Sequence, residues 1–345
     1  MGKMRIAGIR LDAVCNHRNQ CLINRFAMPD HPLFGDCEIC VVGAICRDVK
    51  TAPLPPGEYL LRDGETSIAG VWETVGGGGA NSAAMAAKLG AKARFAGVVG
   101  KDELGAHLRR ALEGSGVDCF LHQEPGLSTG TTVNLVYASG HRHFLSWHPN
   151  NAALAFEKID PAALSGARHL LRADVWFSEP MLYGGNEQLL REARRLGMAT
   201  SLDLNFDPKW GHADPKEILR RKEAVRQVLP LVDLGHGNVR ELCEFADAAD
   251  LGSALLKLSG WGVGAVVVHM GAEGAGYFSA GKLVVRPAAP VRAGVMTTGT
   301  GDVLSVCMAL LHHRTEIPAE EKLQLANALV AEFMEGRRQL IPQLD

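Results

Sequence analysis

Short apolar runs bounded by glycine alternate with helical patterns along most of the chain. Runs such as Arg94–Val99 and Ala265–His269 are typical of strands buried on both faces of a parallel sheet. Between such runs, apolar residues recur at helical spacing, as in Asp102–Glu113 and Gly185–Arg195. The alternation predicts an α/β fold, a three-layer α/β/α sandwich with a mostly parallel central sheet.

The composition narrows the range of partners and compartments. A chain of 345 residues with a formal net charge of −2 gives no reason to expect a nucleic acid or an anionic membrane as a partner. No run approaches the roughly 18 apolar residues of a membrane span, and the first residues lack the apolar core of a secretory signal. Eight cysteines without regular paired spacing favour a reducing cytoplasm.

Near the C-terminus, glycines flank a carboxylate where a helical pattern begins. Gly299, Thr300 and Gly301 precede Asp302, and apolar residues then repeat at helix spacing. The backbone N–H groups at such a helix start form a natural anion site. A carboxylate beside an anion either caps the helix or takes a proton from an attacking hydroxyl group.

A second glycine-rich segment, residues 76–81, ends in Asn81. Its four glycines allow a close approach to the main chain, and Asn81 offers both a donor and an acceptor. The third glycine of a dinucleotide fingerprint is missing in this frame, and no Gly-Lys-Ser or Gly-Lys-Thr of a Walker loop occurs.

In this order, the two segments resemble the signatures of the ribokinase-like, or PfkB, carbohydrate kinases. The first signature fits in full, at Gly77, Gly78, Asn81, Ala83, Gly90 and Gly100. The second departs from the family pattern at Met296, Thr300 and Cys307. A catalytically impaired homologue that binds sugar or nucleotide is therefore an alternative to an active kinase.

Four further segments resemble the family in the same order, so that the likeness covers roughly residues 38–342. They are Val41–Asp48 as the first strand ending in its aspartate, Ser201–Trp210, Asp233–Glu241 and Val266–Ala275. The resemblance implies a kinase domain over residues 38–345, with a small β lid from segments of about 50–75 and 127–147. Residues 1–37 remain as an N-terminal extension of unknown role.

The resemblance implies an ATP- and Mg²⁺-dependent kinase that phosphorylates a hydroxymethyl group of a sugar or sugar derivative. Asp302 would be the base, and the backbone of residues 299–301 would hold the transferring phosphoryl group. The expected sugar ligands are Asp48, Gly78, Gly79, Asn81 and Arg142, although Arg142 could equally be a solvated lid charge.

Other residues are expected at the nucleotide and the metal. Asn238, Gly271, Gly274 and Asn327 would contact the nucleotide, and Glu241 would reach hydrated Mg²⁺. Asn238 and Glu241 also have the spacing of a capping box, which is compatible with the metal role. Asn327 could instead be a buried, satisfied amide.

The segment Ser201–Trp210 indicates which class of sugar is the substrate. Sugar-acid kinases of the family carry an arginine where this chain has Asp207, so a neutral sugar is expected. Nucleoside kinases of the family add an aromatic clamp, and with aromatic residues at 6% that alternative ranks lower.

The lid segment 50–75 has more apolar surface than a free flap should expose, which predicts a homodimer through the lid. The apolar residues are Tyr59, Leu60, Leu61, Ile68, Val71 and Trp72.

The N-terminal extension has no clear counterpart in the family. A zinc site could be drawn from Cys15, His17, Cys21, His31, Cys37 and Cys40, although the spacing is irregular. Another interpretation is that translation naturally begins at Met28.

Overall fold

A computed structural model describes residues 11–12, 34–35, 37–55, 57, 62–139, 141–292 and 299–344. Its main feature there is a ten-stranded sheet in which β13 runs antiparallel to both neighbours and all other pairs are parallel. In spatial order, the strands are β1 (Leu11–Asp12), β14 (Lys282–Arg286), β13 (Ala275–Ser279), β12 (Ala265–His269), β11 (Leu234–Asn238), β10 (Ala199–Asp203), β9 (His169–Arg172), β2 (Glu38–Val42), β5 (Lys92–Gly100) and β6 (Val117–Glu124).

Helices cover both faces of this sheet, which confirms the predicted α/β architecture with its large, mostly parallel sheet. Apolar residues of α1, α2, α9 and α10 pack on one face, and those of α4 to α8 pack on the other. The described helices are α1 (Gly78–Lys88), α2 (Glu103–Glu113), α3 (Pro149–Ala152), α4 (Pro161–Leu164), α5 (Asn186–Arg195), α6 (Pro215–Arg226), α7 (Val239–Phe245), α8 (Leu251–Gly260), α9 (Thr300–His312) and α10 (Ala319–Met334). Within the described ranges, no helix has both the length and the apolar character needed to cross a bilayer.

A second, four-stranded sheet contains strands from both segments expected to form the lid, and we call it the lid sheet, or lid. Its order is β4-β3-β7-β8, with β3 and β7 parallel and the outer pairs antiparallel. The strands are β3 (Cys46–Thr51), β4 (Val71–Gly76), β7 (Thr131–Val136) and β8 (Arg142–Trp147).

The expectation that Val41–Asp48 forms one strand of the central sheet is wrong. The chain leaves that sheet after Val42 and enters the lid at Cys46, so Asp48 lies in the lid. Gly43 makes the crossing possible, because a β-carbon there would lie 2.8 Å from the Cα of Gly79 at the start of α1.

Several residues singled out in the sequence lie outside the described part of the chain. They are Cys15, His17, Cys21, Met28, His31, Tyr59, Leu60, Leu61 and Met296. Cys37 and Cys40 are described, and both side chains are buried in the core. No group of three or more metal-ligating side chains occurs among the described residues.

Asp207, expected to shape the substrate pocket, is instead fully buried in an ion pair with Arg221 of α6. The Arg221 Nε donates to Asp207 Oδ2 at 2.6 Å, and its Nη2 donates to Oδ1 at 3.2 Å and to the Trp176 carbonyl at 2.6 Å. Two-point pairing with the guanidinium satisfies the carboxylate. Its charge is therefore neutralised within the protein and is not presented to a ligand.

Removing only the cation of this pair should unfold the protein readily. Arg221→Met leaves the Asp207 carboxylate buried without a partner, and we expect a loss of about 3–5 kcal/mol of unfolding free energy in urea titrations. The double variant Arg221→Met/Asp207→Leu should recover much of that loss. Arg220→Met is the control, since Arg220 is exposed over the Tyr183 ring and should cost less than about 1 kcal/mol. Equal losses for Arg221→Met and Arg220→Met would refute this interpretation.

Candidate active site

Five carboxylates from distant parts of the sequence meet where the strands of the central sheet end. The pKa of Asp302 is raised well above its usual range, mainly by burial and then by the negative charges of Asp203, Asp174, Glu241 and Asp48. Carboxyl ends of parallel strands are where α/β folds place their ligands. The predicted Asp48, Glu241 and Asp302 are thus brought together with two further acids.

Asp302 does not cap the helix that it begins. Gly299 occupies the N-cap of α9 with a left-handed φ of 84°, and Asp302 lies in the first turn. None of the described residues donates a side-chain hydrogen bond to its carboxylate. The capping alternative therefore lacks support, and the carboxylate remains available beside the open N–H groups of the helix start.

The helix start is packed against a hydrogen-bonded chain of side chains. The Ser305 hydroxyl donates to Asp203 Oδ2 at 3.1 Å and lies 3.3 Å from His269 Nε2. Burial, with the charge of Glu241, raises the pKa of Asp203 to about 8, and burial lowers that of His269 to about 4. A β-carbon at Gly301 would lie 3.2 Å from His269 Nδ1, so glycine lets the helix start approach this neutral imidazole.

Asp174, which the sequence reading missed, holds the first glycine-rich segment in place. Its carboxylate accepts N–H bonds from Ala44 (3.0 Å), Gly78 (3.3 Å) and Gly79 (2.7 Å). It stands just after β9 with φ at 56°, and its own N–H donates to Asn205 Oδ1 at 3.1 Å. The available signal was a carboxylate two residues after a short strand, β9, whose four residues are all buried.

The glycines before α1 therefore have a structural role. The N–H groups of Gly78 and Gly79 donate to Asp174, so these two groups are not available to a ligand. That the two glycines line a sugar pocket stays a prediction. A β-carbon at Gly79 would lie 2.6 Å from the Cα of Gly43. Asn81 is 9% exposed, and its buried Oδ1 has no hydrogen-bond partner in the part of the chain that the structure describes.

Asp48 lies on β3, directly opposite Thr74 of β4 and Thr132 of β7. Burial raises its pKa to about 6, against the opposing effect of Lys50. Arg142 begins β8 and is exposed, and its charge acts on Lys50. The structure thus places Arg142 on the lid, close enough to Lys50 for their charges to interact, and not among the carboxylates.

Asn238 and Glu241 form the capping box that their spacing allows at the start of α7. Glu241 N–H donates to Asn238 Oδ1 at 2.9 Å, and Asn238 N–H donates to Glu241 Oε2 at 2.7 Å. Burial raises the pKa of Glu241. One carboxylate oxygen lies outside the box, which keeps the expected metal role compatible with capping.

A cavity of about 230 Å³ collects the residues expected at the nucleotide. It is lined by Gly271, Gly274, Thr300, Gly301 and Asn327 together with His269 and apolar residues of α10. A wider surface hollow of about 710 Å³ beside β6 contains none of the expected site residues.

Asn327 and Gly274 also have structural roles within the protein. Asn327 Nδ2 donates to the carbonyl groups of Arg286 (3.1 Å) and Pro287 (2.9 Å), which leaves only its oxygen for a ligand. A β-carbon at Gly274 would lie 2.0 Å from the Arg286 oxygen, so this glycine is required by the chain itself. Asn238, in contrast, does not line the cavity.

Two of the three departures from the second family signature lie among the described residues. Thr300 lines the nucleotide cavity at the helix start, and Cys307 is fully buried in the core between α9 and the sheet. Neither removes Asp302 or obstructs the backbone of Gly301. Met296 lies outside the described residues.

Residues 37–335 match the family model described as pfkB family carbohydrate kinase. The chain therefore belongs to this family, whose members are phosphotransferases that act on hydroxyl groups.

Curated relatives and a solved structure agree with this assignment. The chain is similar to aminoimidazole riboside kinase of Salmonella typhimurium, 29% identical over 66% of this chain and 70% of that protein. It is 28% identical to ribokinase of Mus musculus over 85% of this chain and 87% of that one. A ribokinase II candidate from E. coli, solved with ATP and Mg²⁺, shares the fold with a TM-score of 0.72 at 21% identity, covering 88% and 94% of the two chains.

Asp174→Asn should loosen the glycine-rich segment without unfolding the protein. Charge-assisted hydrogen bonds contribute about 1.5–3 kcal/mol each, so amide exchange at Ala44, Gly78 and Gly79 should accelerate about tenfold or more in native-state hydrogen exchange. The control is Asp160→Asn, because Asp160 accepts from Ala162 N–H at the exposed start of α4. Unchanged exchange in residues 76–81 would contradict the anchoring role.

Proposed function

We propose that this protein transfers the γ-phosphoryl group of ATP to a hydroxymethyl group of a sugar or sugar derivative. The observation that carries the proposal is the uncapped carboxylate of Asp302 beside the open helix start at Gly301. Phosphoryl transfer requires positioning, charge neutralisation and a base for the attacking hydroxyl, and these two elements supply the base and the anion site. Family membership and the structural neighbour solved with ATP and Mg²⁺ support the same reaction.

Asp302 is the general base in this proposal. Burial and the neighbouring carboxylates raise its pKa, which makes the ionised carboxylate a stronger base than an ordinary aspartate. The acceptor hydroxyl would lie against Asp302 and transfer its proton to the carboxylate as the new phosphate ester bond forms. Backbone N–H groups at the start of α9 would stabilise the charge on the transferred group.

Glu241 and Asp203 are the residues that fit Mg²⁺. They are acids at the same strand ends, and Glu241 has one oxygen outside its capping box. Mg²⁺ usually keeps several waters and needs only one or two protein carboxylates beside substrate phosphates. This agrees with the described residues having no larger ligand cluster. When bound, the ion would neutralise phosphate charge.

A nucleoside acceptor is a second candidate, supported by two aromatic side chains on the lid. Trp72 pairs with Lys50 in register, and Phe144 pairs with Asn134, so both lie on the same lid face as Asp48. They are 52% and 49% exposed. Exposed rings on this face could stack on a base.

Coupled ADP release across pentoses, hexoses, sugar acids and nucleosides tests the proposal and separates the two acceptor classes. Turnover with at least one acceptor in the presence of Mg²⁺ is expected. Silence over the whole panel, with a cooperatively unfolding protein, would refute the kinase activity. Tight sugar binding by calorimetry without turnover would support the impaired homologue.

Asp302→Asn and Asp48→Asn should have different kinetic effects. Asn at position 302 cannot accept the hydroxyl proton, so kcat should fall by a factor of about 10² to 10⁴ with little change in acceptor affinity. Asp48→Asn should mainly raise KM for the acceptor. Asp250→Asn, at the remote N-cap of α8, is the control and should leave both constants unchanged. Near-normal kcat in Asp302→Asn would refute its role as the base.

We also propose that the protein is a homodimer through the lid. All six residues of the outer strand β8 are exposed, including Leu145 at 53% and Trp147 at 61%. Ile68, Val71 and Trp72 near β4 are 40%, 51% and 52% exposed. An apolar edge strand of this kind is a site for pairing with another chain.

Light scattering should give twice the mass of one chain for the wild type at micromolar concentration. Leu145→Asp should give one chain mass, because it places a charge in the proposed interface. Leu219→Asp on α6, where the leucine is 52% exposed and remote from the lid, should remain a dimer. A monomeric wild type would contradict the proposal.

A further inference from the structure

Lys50 is a partly buried cation on the lid for which the proposed reaction gives no role. It lies on β3 two residues after Asp48, so both side chains project from the same face of the lid sheet. Burial lowers the pKa of Lys50, and the positive charge of Arg142 lowers it further. Among the described residues, no carboxylate forms an ion pair or hydrogen bond with its ammonium group.

Two more polar groups share this face of the lid. Asn134 of β7 stands directly opposite Lys50 and is only 1% exposed, and its amide can donate to an anion through Nδ2. Arg142 stands on β8 opposite Val136, two residues along from Asn134 in register and therefore on the same face. Three adjacent strands thus contribute a lysine, an amide and an arginine to one surface.

The charges of this surface favour an anionic partner. A partly buried ammonium group that no carboxylate contacts is unfavourable, and a bound anion would lower that cost. The negative charge of Asp48 offsets part of the cost, and the positive charge of Arg142 adds to it. The expectation of a neutral sugar rested on the arginine that Asp207 replaces, and the lid supplies cations at a different place, at Lys50 and Arg142.

We propose that Lys50, Asn134 and Arg142 form an anion subsite on the lid and that the acceptor is an acidic sugar. Its carboxylate or phosphate lies against Lys50, while its hydroxyl groups lie against Asp48. Residues two apart on a strand are about 6.6 Å apart, a distance that a five- or six-carbon chain spans. This inference rests on the proposed kinase function and adds the class of acceptor.

Matched acceptor pairs that differ only in the acidic group test the subsite. D-gluconate is compared with D-glucitol and D-ribonate with ribitol for a carboxylate, and fructose 1-phosphate with fructose for a phosphate. We expect kcat/KM to be at least about tenfold higher for the acidic member of at least one pair, and which pair responds identifies the anion. Equal or higher values for all neutral members would overturn the inference.

Variants of Lys50 test whether this residue recognises the acidic group of the acceptor. Lys50→Met should lower kcat/KM for the preferred acidic acceptor at least about tenfold, mainly through KM, and change the neutral member less than about threefold. Lys50→Arg should restore most of the preference because it keeps the charge. Lys88→Met, which removes an exposed cation at the end of α1, is the control and should change neither acceptor. Equal effects of Lys50→Met on both members would assign it a structural role and overturn the inference.

Binding measurements separate this inference from the kinase activity. If no acceptor is phosphorylated, the proposed function fails, and calorimetry of the same pairs with wild type and Lys50→Met still decides the subsite. Preferential binding of acidic members that is lost in Lys50→Met would support it. Binding of neutral members alone, or no loss in Lys50→Met, would overturn it. Phosphorylation of neutral sugars alone would leave the kinase standing and refute the subsite.

Discussion

Burial of several carboxylates close together is the constraint on which the site depends. Asp48, Asp174, Asp203, Glu241 and Asp302 come from five separate segments of the chain, and burial together with the charges of the other four raises the pKa of Asp302. Like charges at low dielectric are unfavourable unless cations, protons or hydrogen bonds offset them. Three of the acids have different hydrogen-bond partners: backbone N–H groups at Asp174, a serine hydroxyl at Asp203 and a capping box at Glu241. No such side-chain partner of Asp302 occurs among the described residues.

One of these carboxylates, Asp174, also attaches the lid to the central fold. Asp174 ties the crossing at Ala44 to the start of α1, and the close approach of Gly43 and Gly79 locks the two segments together. Because β3 continues directly from this crossing, Asp48 is held at a defined position relative to Asp302. In the proposed reaction the lid sheet would therefore contribute to the acceptor site, which is how a cation at Lys50 could influence which acceptor binds.

Much of the fold could be predicted from sequence because its signals are local. Alternating apolar strands and amphipathic helices define the α/β layers, and Ala265–His269 is found as a strand with the predicted bounds. Asp102 begins its predicted helix as the N-cap, accepting from Gly105 N–H. Such features depend on residues a few positions apart, which a single sequence displays directly.

What sequence could not predict depends on strand order and register. Asp174 follows a four-residue strand, and only the neighbouring positions of β2 and β9 bring it to Gly79. The path of Asp48 into the lid depends on a crossing that resembles a continuing strand. Asp207 suggested a pocket residue, although Arg221, 14 positions later, neutralises it. Contacts between distant elements decide each of these outcomes.

The pH dependence of turnover tests most directly whether neighbouring carboxylates control Asp302. The base must be unprotonated, so kcat/KM, which reports the free enzyme, should fall as the pH decreases through a pKa well above the ordinary value of 3.8. Bound cations should shift the corresponding limb of kcat to lower pH. Asp302→Asn should lack this limb in its residual activity. A limb of kcat/KM near the ordinary carboxyl pKa, or one that persists unchanged in Asp302→Asn, would contradict the account.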